Sequence, residues 1–319
     1  MIDIILALKT VLDKSAKDDL NAWLGPLPKN AAWHVISDYV FGDPNKNDVA
    51  SFVLLLHHDK LDVIRGYIDN IAPSDIKSVR SPSEGMIKYL NSPVAFSFSF
   101  VLQGEPGFLK GFATSADMLA QLDEFGHMLD SFETNTPQPN EYFALARSRV
   151  RQFVQELRQK GNQKLARKVF LLAAYAVAVF EYLDLGVAPQ AVSWVSDRDA
   201  MLDRHDGVVC DIATLMFWVM KSGRVDPVEG EQMRVIDRPT FIHVQPEKTG
   251  PNHMDPLIRM ADYVAGTVAD MSMKGFEFSH QKFREIAQAC FVESKNHVIV
   301  TIAHAGDRFT VRRVGFKET

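Results

Sequence analysis

Three aspartates stand where phosphate or metal chemistry would need them. Asp38 lies inside an apolar, strand-like segment, AAWHVISDYVF (31–41). A charged side chain there must reach solvent, find a partner or hold a cation. Asp197 closes a second such segment, AVSWVSD (191–197), and strand ends in α/β sheets are where ligands bind. Asp262 falls in a helix-like run, IRMADYVAG (258–266), whose Ala261, Ala265 and Gly266 would let it approach a sheet closely. Taken singly, each has an ordinary explanation as a turn, cap or rim charge. Together they suit Mg²⁺ or Mn²⁺: hard cations prefer oxygen, and Mg²⁺ needs only one or two carboxylates when waters and substrate phosphates supply the rest. Two such ions about 4 Å apart activate a water and stabilise the leaving oxygen in phosphodiester cleavage.

The patch SDRDAMLDRHDG (196–207) reads most simply as a solvated turn. Its functional reading makes His205 a proton shuttle near neutral pH, with Asp199 or Asp206 as reserve carboxylates. The spacing does not match a calcium loop. Arg198, Asp199 and Arg259 are the candidate substrate contacts. Arg147, Arg149, Arg151, Arg158, Lys160, Lys164, Arg167 and Lys168 form a basic stretch, either a solvated helix face or a rim that tracks phosphates. His57 and His58 are neighbours on a strand and so face opposite sides, which argues against a metal pair. No serine-hydrolase pattern is present. Cys210 and Cys290 lack a CxxC partner and read as buried free thiols in a reducing compartment.

Elements must position these groups. The 319 residues are 46% hydrophobic and 24% charged, an ordinary globular composition. A net charge of -5 argues against binding nucleic acid by bulk charge, while leaving room for a local basic groove. The N-terminus lacks the basic start of a signal peptide. The apolar run Val169–Val187 is interrupted by Glu181 and Asp184, and its unbroken part is too short for a bilayer. The expectation is a cytoplasmic protein without a membrane segment. Strands are predicted near 33–40, 50–57, 94–101, 191–196 and 240–244. In the third, Val94, Phe96, Phe98 and Phe100 alternate with Ala95, Ser97 and Ser99, a period of two that implies one buried face. Helices are predicted over 1–24, 59–71, 115–132, 141–159, 162–184, 206–223, 254–272 and 280–292. A closing hairpin joins HVIVTIAHA to RFTVRRVGF through GD. The stretch 72–90 reads as turns and short apolar pieces.

The order of three strands, helices, strand, helix, strand and closing helix resembles that of RNase H-like nucleases. In those enzymes carboxylates stand on the first strand, near the fourth and on the closing helix, stations that Asp38, Asp197 and Asp262 match. More narrowly, ISDYV (36–40) and IRMADYVAG (258–266) are similar to the first-strand Asp-Glu and the closing-helix QLADLVAGA patterns of the bacterial domain-of-unknown-function family 3800. The likeness spans roughly 31–272 by order of elements. It implies an α/β, RNase H-like core over 31–272 with a mixed five-stranded sheet and a helical insertion at about 115–185. An N-terminal helix (1–30) would precede it, and a helix plus β-hairpin (273–319) would follow. It also implies a Mg²⁺- or Mn²⁺-dependent nuclease or phosphoesterase with nucleic acid as partner. The alternative is an inactive binding or assembly module of the same fold. Two positions depart from the pattern: Tyr39 replaces the Glu, and Arg259 replaces the Gln. Arg259 lies three residues before Asp262, on one helix face, so the two are expected to pair and partly neutralise the site.

Overall fold

β-Branched and aromatic residues fill the segments that become strands. The computed structural model describes residues 2–104, 107–135, 141–159, 161–222, 239–247, 249–305 and 308–316. The strands are β1 (Ala32–Val40), β2 (Asp48–Leu56), β3 (Ala95–Gln103), β4 (Ala191–Ser196), β5 (Thr240–Val244), β6 (His297–Ala305) and β7 (Arg308–Arg313). They form one sheet in the order β5-β4-β1-β2-β3-β6-β7. The pairs β1–β2, β2–β3 and β6–β7 are antiparallel. The pairs β1–β4, β4–β5 and β3–β6 are parallel.

The helices are α1 (Ile2–Ser15), α2 (Lys17–Leu24), α3 (Leu61–Ile71), α4 (Glu84–Leu90), α5 (Gly107–Phe112), α6 (Ser115–Asn135), α7 (Glu141–Arg158), α8 (Gln163–Val187), α9 (Ala200–Asp203), α10 (Val208–Ser222), α11 (Asp255–Asp270) and α12 (Gln281–Ala287). The predicted 1–24 helix breaks at Ala16, and α4 lies in the stretch read as turns.

The five-stranded expectation is corrected to seven. An edge strand presents unpaired N–H and C=O groups. β6 satisfies those of β3 in parallel register, from Ser97↔His297 to Gln103↔Ala303, and the closing hairpin thereby extends the sheet. The turn at 306–307 lies outside the described residues.

The chain divides into two compact units. The sheet unit comprises residues 6–103, 182–197 and 237–319; the helical unit comprises 1–5, 104–181 and 198–236. In the sheet unit, α11 packs on one face, with Ile36, Val53, Val101 and Val195 of the strands against Leu257, Ile258, Ala261 and Val264. On the opposite face Trp23 of α2 packs against Trp33 and Phe96, and Tyr182 stacks on Phe98. Both faces of β3 are therefore covered, and Ser97 and Ser99 are fully buried. The single buried face implied by the alternation is a second correction. Ser97 bonds the His297 ring at 2.7 Å and Ser99 bonds Ser51 at 2.7 Å, because polar groups under a helix must find partners inside.

In the helical unit, Arg149 reaches the buried Asp211 at 3.3 Å, linking α7 to α10. Arg147 bonds Asp130 at 2.9 Å and also Glu133, and Arg158 meets Asp123 at 3.5 Å. Several arginines of the basic stretch are thus engaged in ion pairs within this unit. α8 is long and apolar enough to cross a membrane by length and composition, yet 89% of its most apolar window is buried within the protein.

Gly266 does not meet the sheet. A Cβ added there would lie 3.5 Å from Phe283 Cε1 and 3.8 Å from Ile76 Cγ2, ordinary contacts. Glycine inside a helix costs about 0.5–1 kcal/mol relative to alanine. Gly266→Ala is expected to raise the unfolding free energy by about that amount in denaturant melts. A fall of similar size would show that the helix needs closer packing than these distances indicate.

Candidate active site

Strand alternation puts the even-numbered residues of β1 on the α11 side, where Ile36 joins that core. Asp38 is therefore turned under α11, which lays Asp262 against it. The two carboxyls are in hydrogen-bond contact, and they are only 8% and 6% exposed. Asp38 faces Ser51 in the β1–β2 register, and Ser51 faces Ser99, so a polar row crosses three strands beneath the helix.

A third group arrives from a segment that sequence reading passed over. A 3-10 turn, Ile76–Ser78, carries Lys77, whose Nζ lies 3.7 Å from Asp262 Oδ1. Asp75 shapes this turn: its Oδ1 accepts the Lys77 backbone N–H at 2.7 Å. The only sequence signal was the short Asp-x-Lys spacing, since an Asp side chain that bonds its own backbone two residues on nucleates a turn. Asp197 follows β4 directly, is exposed, and adds its charge to the same field.

The electrostatics follow from burial. Burial holds the Asp38 carboxyl above its ordinary value, against the pull of the Lys77 ammonium and the Asp262 hydrogen bond. Burial, then the Asp38 charge, push Asp262 up to about 9. Burial opposes the Lys77 charge, but the carboxylates of Asp262, Asp38, Asp75 and Asp197 prevail and raise its proton affinity. Asp38 Oδ2 is buried with no donor from the protein unless Asp262 carries a proton to it. One proton held between the two carboxyls would relieve their mutual repulsion. Among the described residues, no group of three or more His, Cys, Asp and Glu side chains is arranged to hold a metal.

The other predicted residues go elsewhere. Arg259 does not pair with Asp262. Its Nη1 donates to Asp69 Oδ1 and to the Ala72 carbonyl, each at 2.7 Å. The end of α3 offers a carboxylate and the negative pole of a helix, a better partner than a neutralised pair. Tyr39 lies on the opposite face from Asp38, with its hydroxyl 2.5 Å from Ser37 Oγ and its ring against Phe41 and Phe52. A glutamate there would share that orientation, so Tyr39 does not replace a group beside Asp38. His205 Nε2 bonds Glu156 Oε2 at 2.8 Å in the helical unit, where Arg204 also grips that carboxylate. Burial works against the Glu156 charge, yet these two partners hold it below its ordinary value. Asp199 caps α9, accepting the Met201 N–H at 2.7 Å. Arg198 is exposed beside Asp197 in the chain. His57 and His58 separate as alternation requires: His57 bonds His34 at 2.9 Å and His58 bonds Tyr89 at 2.8 Å.

The turn bearing Lys77 is held from behind. Lys282 of α12 is buried, and its Nζ donates to the carbonyls of Ile76 at 2.7 Å and Val79 at 2.8 Å. Hydrogen bonds from a charged donor contribute about 1.5–3 kcal/mol each, and carbonyls left buried without a donor cost more. Lys282→Met is expected to lower stability by at least about 2 kcal/mol in urea titrations. A loss below about 0.5 kcal/mol would mean that water replaces the ammonium.

Comparison of the chain with protein-family models, with curated proteins and with solved structures finds no match.

Proposed function

We propose that this chain is a metal-dependent nuclease or phosphoesterase of RNase H-like type, acting on nucleic acid at the Asp38–Asp262 pair. One observation carries the reading: a buried Asp38 oxygen without a protein donor lies beside a second buried carboxyl. That all-oxygen donor set fits a hard cation, which can be held by one or two carboxylates. The order β5-β4-β1-β2-β3, with β2 antiparallel to both neighbours and a helix laid over the carboxylate face, supports the RNase H-like assignment. The likeness to domain-of-unknown-function family 3800 supports it through the two short motifs alone.

Asp38 and Asp262 would hold Mg²⁺ or Mn²⁺, which supplies Lewis acidity toward phosphate and acidifies a water. The chain's own groups do the rest. The carboxyl pair releases its shared proton as the site takes up positive charge. Lys77, with its side chain 60% exposed, can turn from Asp262 to a phosphate oxygen. Asp197, exposed at the end of β4, would accept a proton from an attacking water. The test is incubation with single- and double-stranded DNA and RNA in Mg²⁺ or Mn²⁺. Cleavage that needs the cation and disappears in Asp262→Asn is expected. No cleavage of any of the four substrates would overturn the reading.

A second reading has its own observation. Lys77 already supplies a cation to the pair, as an inactive binding or assembly module of this fold would require. Calorimetry with Mn²⁺ separates the two: heat that vanishes in Asp38→Asn favours catalysis, and absence of heat favours the module.

A further inference from the structure

The loop after α11 lines a half-open cavity of about 650 Å³ together with α12, the π-helical turn Gln288–Val292 and the segment 314–316. Small-molecule sites span roughly 300–1,000 Å³. Its walls combine two chemistries. Lys274 and Arg284 line it, and no carboxylate does. Among the described residues neither cation has an ion-pair partner. The Glu277 carboxyl lies against Gly275 but is not part of the lining. The second element is aromatic. Phe276 and Phe316 line the cavity with ring centroids 5.2 Å apart, backed by Phe278 at 5.1 Å from Phe276 and Phe291 at 6.4 Å from Phe316.

The loop is built at a conformational cost. Phe276 has a φ of 52°, the left-handed region that bulky side chains avoid. A hydrogen bond from Ser272 N–H to the Glu277 carbonyl at 2.8 Å closes the loop around it. Backbone held in this way clusters at ligand clamps.

We infer that this cavity binds a nucleotide, with the phosphate on Lys274 and Arg284 and the base against Phe276 and Phe316. Unpaired cations select an anion, and an aromatic wall selects a planar face. Their combination is how proteins hold a nucleotide without reading its sequence. The same chemistry serves a free mononucleotide or the end of a single strand. The inference does not depend on cleavage at Asp38.

The test is calorimetry in EDTA, so that no divalent cation recruits phosphate to the carboxylate pair. The ligands are AMP, adenosine, inorganic phosphate and a short 5′-phosphorylated single-stranded oligonucleotide. AMP is expected to bind at least tenfold more tightly than adenosine or phosphate. Arg284→Ala, at an exposed side chain, and Phe316→Leu should each weaken AMP by roughly tenfold, with melting temperatures that show both variants folded. Asp38→Asn should bind AMP as the wild type does. Oligonucleotide binding tighter than AMP identifies a strand end as the ligand; equal or weaker binding identifies the free nucleotide. The inference is overturned if neither AMP nor the oligonucleotide binds. It also falls if phosphate alone binds as tightly as AMP, or if Arg284→Ala leaves AMP affinity unchanged.

Discussion

Asp38→Asn should reduce cation-dependent phosphodiester cleavage by more than about 100-fold while leaving the protein at least as stable as the wild type. Partners that merely orient a metal ligand are worth about 10–100-fold in affinity or activity, and Asp38 is assigned as a ligand itself. The stability half of the expectation comes from the geometry. Asp38 brings a buried oxygen without a protein donor and a charge that burial disfavours. Asparagine keeps an acceptor for the Asp262 proton and removes the charge. Most substitutions of buried groups destabilise, so loss of activity without loss of stability marks a residue retained for chemistry. Loss of both together would make Asp38 a structural member of the Asp262–Lys77 network. Full activity in the variant would move the chemistry elsewhere.

Relative to Asp262→Asn, the wild type should lose stability as the pH rises from about 5 to about 8. Asp262 has an ordinary value of 3.8 and is pushed up to about 9 in the folded chain. Below the ordinary value both states hold the proton, and the contribution of the folded site is fully present. Between the two values the unfolded chain has lost its proton and the folded chain keeps it, so stability is lost with rising pH until the folded group also ionises. One proton over three pH units amounts to about 4 kcal/mol, and sharing with Asp38 and Lys77 reduces this to about 2–4 kcal/mol. On the acid side two buried histidines act in the opposite sense. Burial lowers His297 to about 3, and burial with His57 and His58 nearby lowers His34 to about 4. Each is neutral when folded but takes up a proton when unfolded below about 6.5, so stability also falls with decreasing pH. Urea melts at several pH values on wild type and Asp262→Asn check this. An unchanged alkaline slope in the variant would show that the shared proton is not held at this pair.

Much of the sheet was legible because strand signals are local. The β-branched and aromatic runs around Val35, Val53, Phe98, Trp194 and Phe241 lie within a few residues of their turns, and all five become strands. The meeting of Asp38 with Asp262 was also within reach, because the strand period and the small-residue helix each present one carboxylate to a shared interface. Other features depended on partners far away in the chain. The serines of β3 looked solvent-facing because their alternation with phenylalanine does not reveal that α11 covers the second face. Arg259 was assigned to Asp262 from spacing along one helix, yet the end of α3, almost 190 residues earlier in the chain, offers a carboxylate and free carbonyls. Lys77 sits in a turn without periodicity, and it becomes part of the site only because Lys282 of α12 ties that turn down. The sixth strand follows the same logic. His297–Ala305 is strand-like by itself, but its place beside β3 is decided by the need of an open sheet edge for hydrogen-bond partners. Residue type and period thus determined which segments are strands and helices and which carboxylates enter the core; tertiary packing decided their partners, because charge pairing and edge pairing are settled by which groups compete for the same buried space.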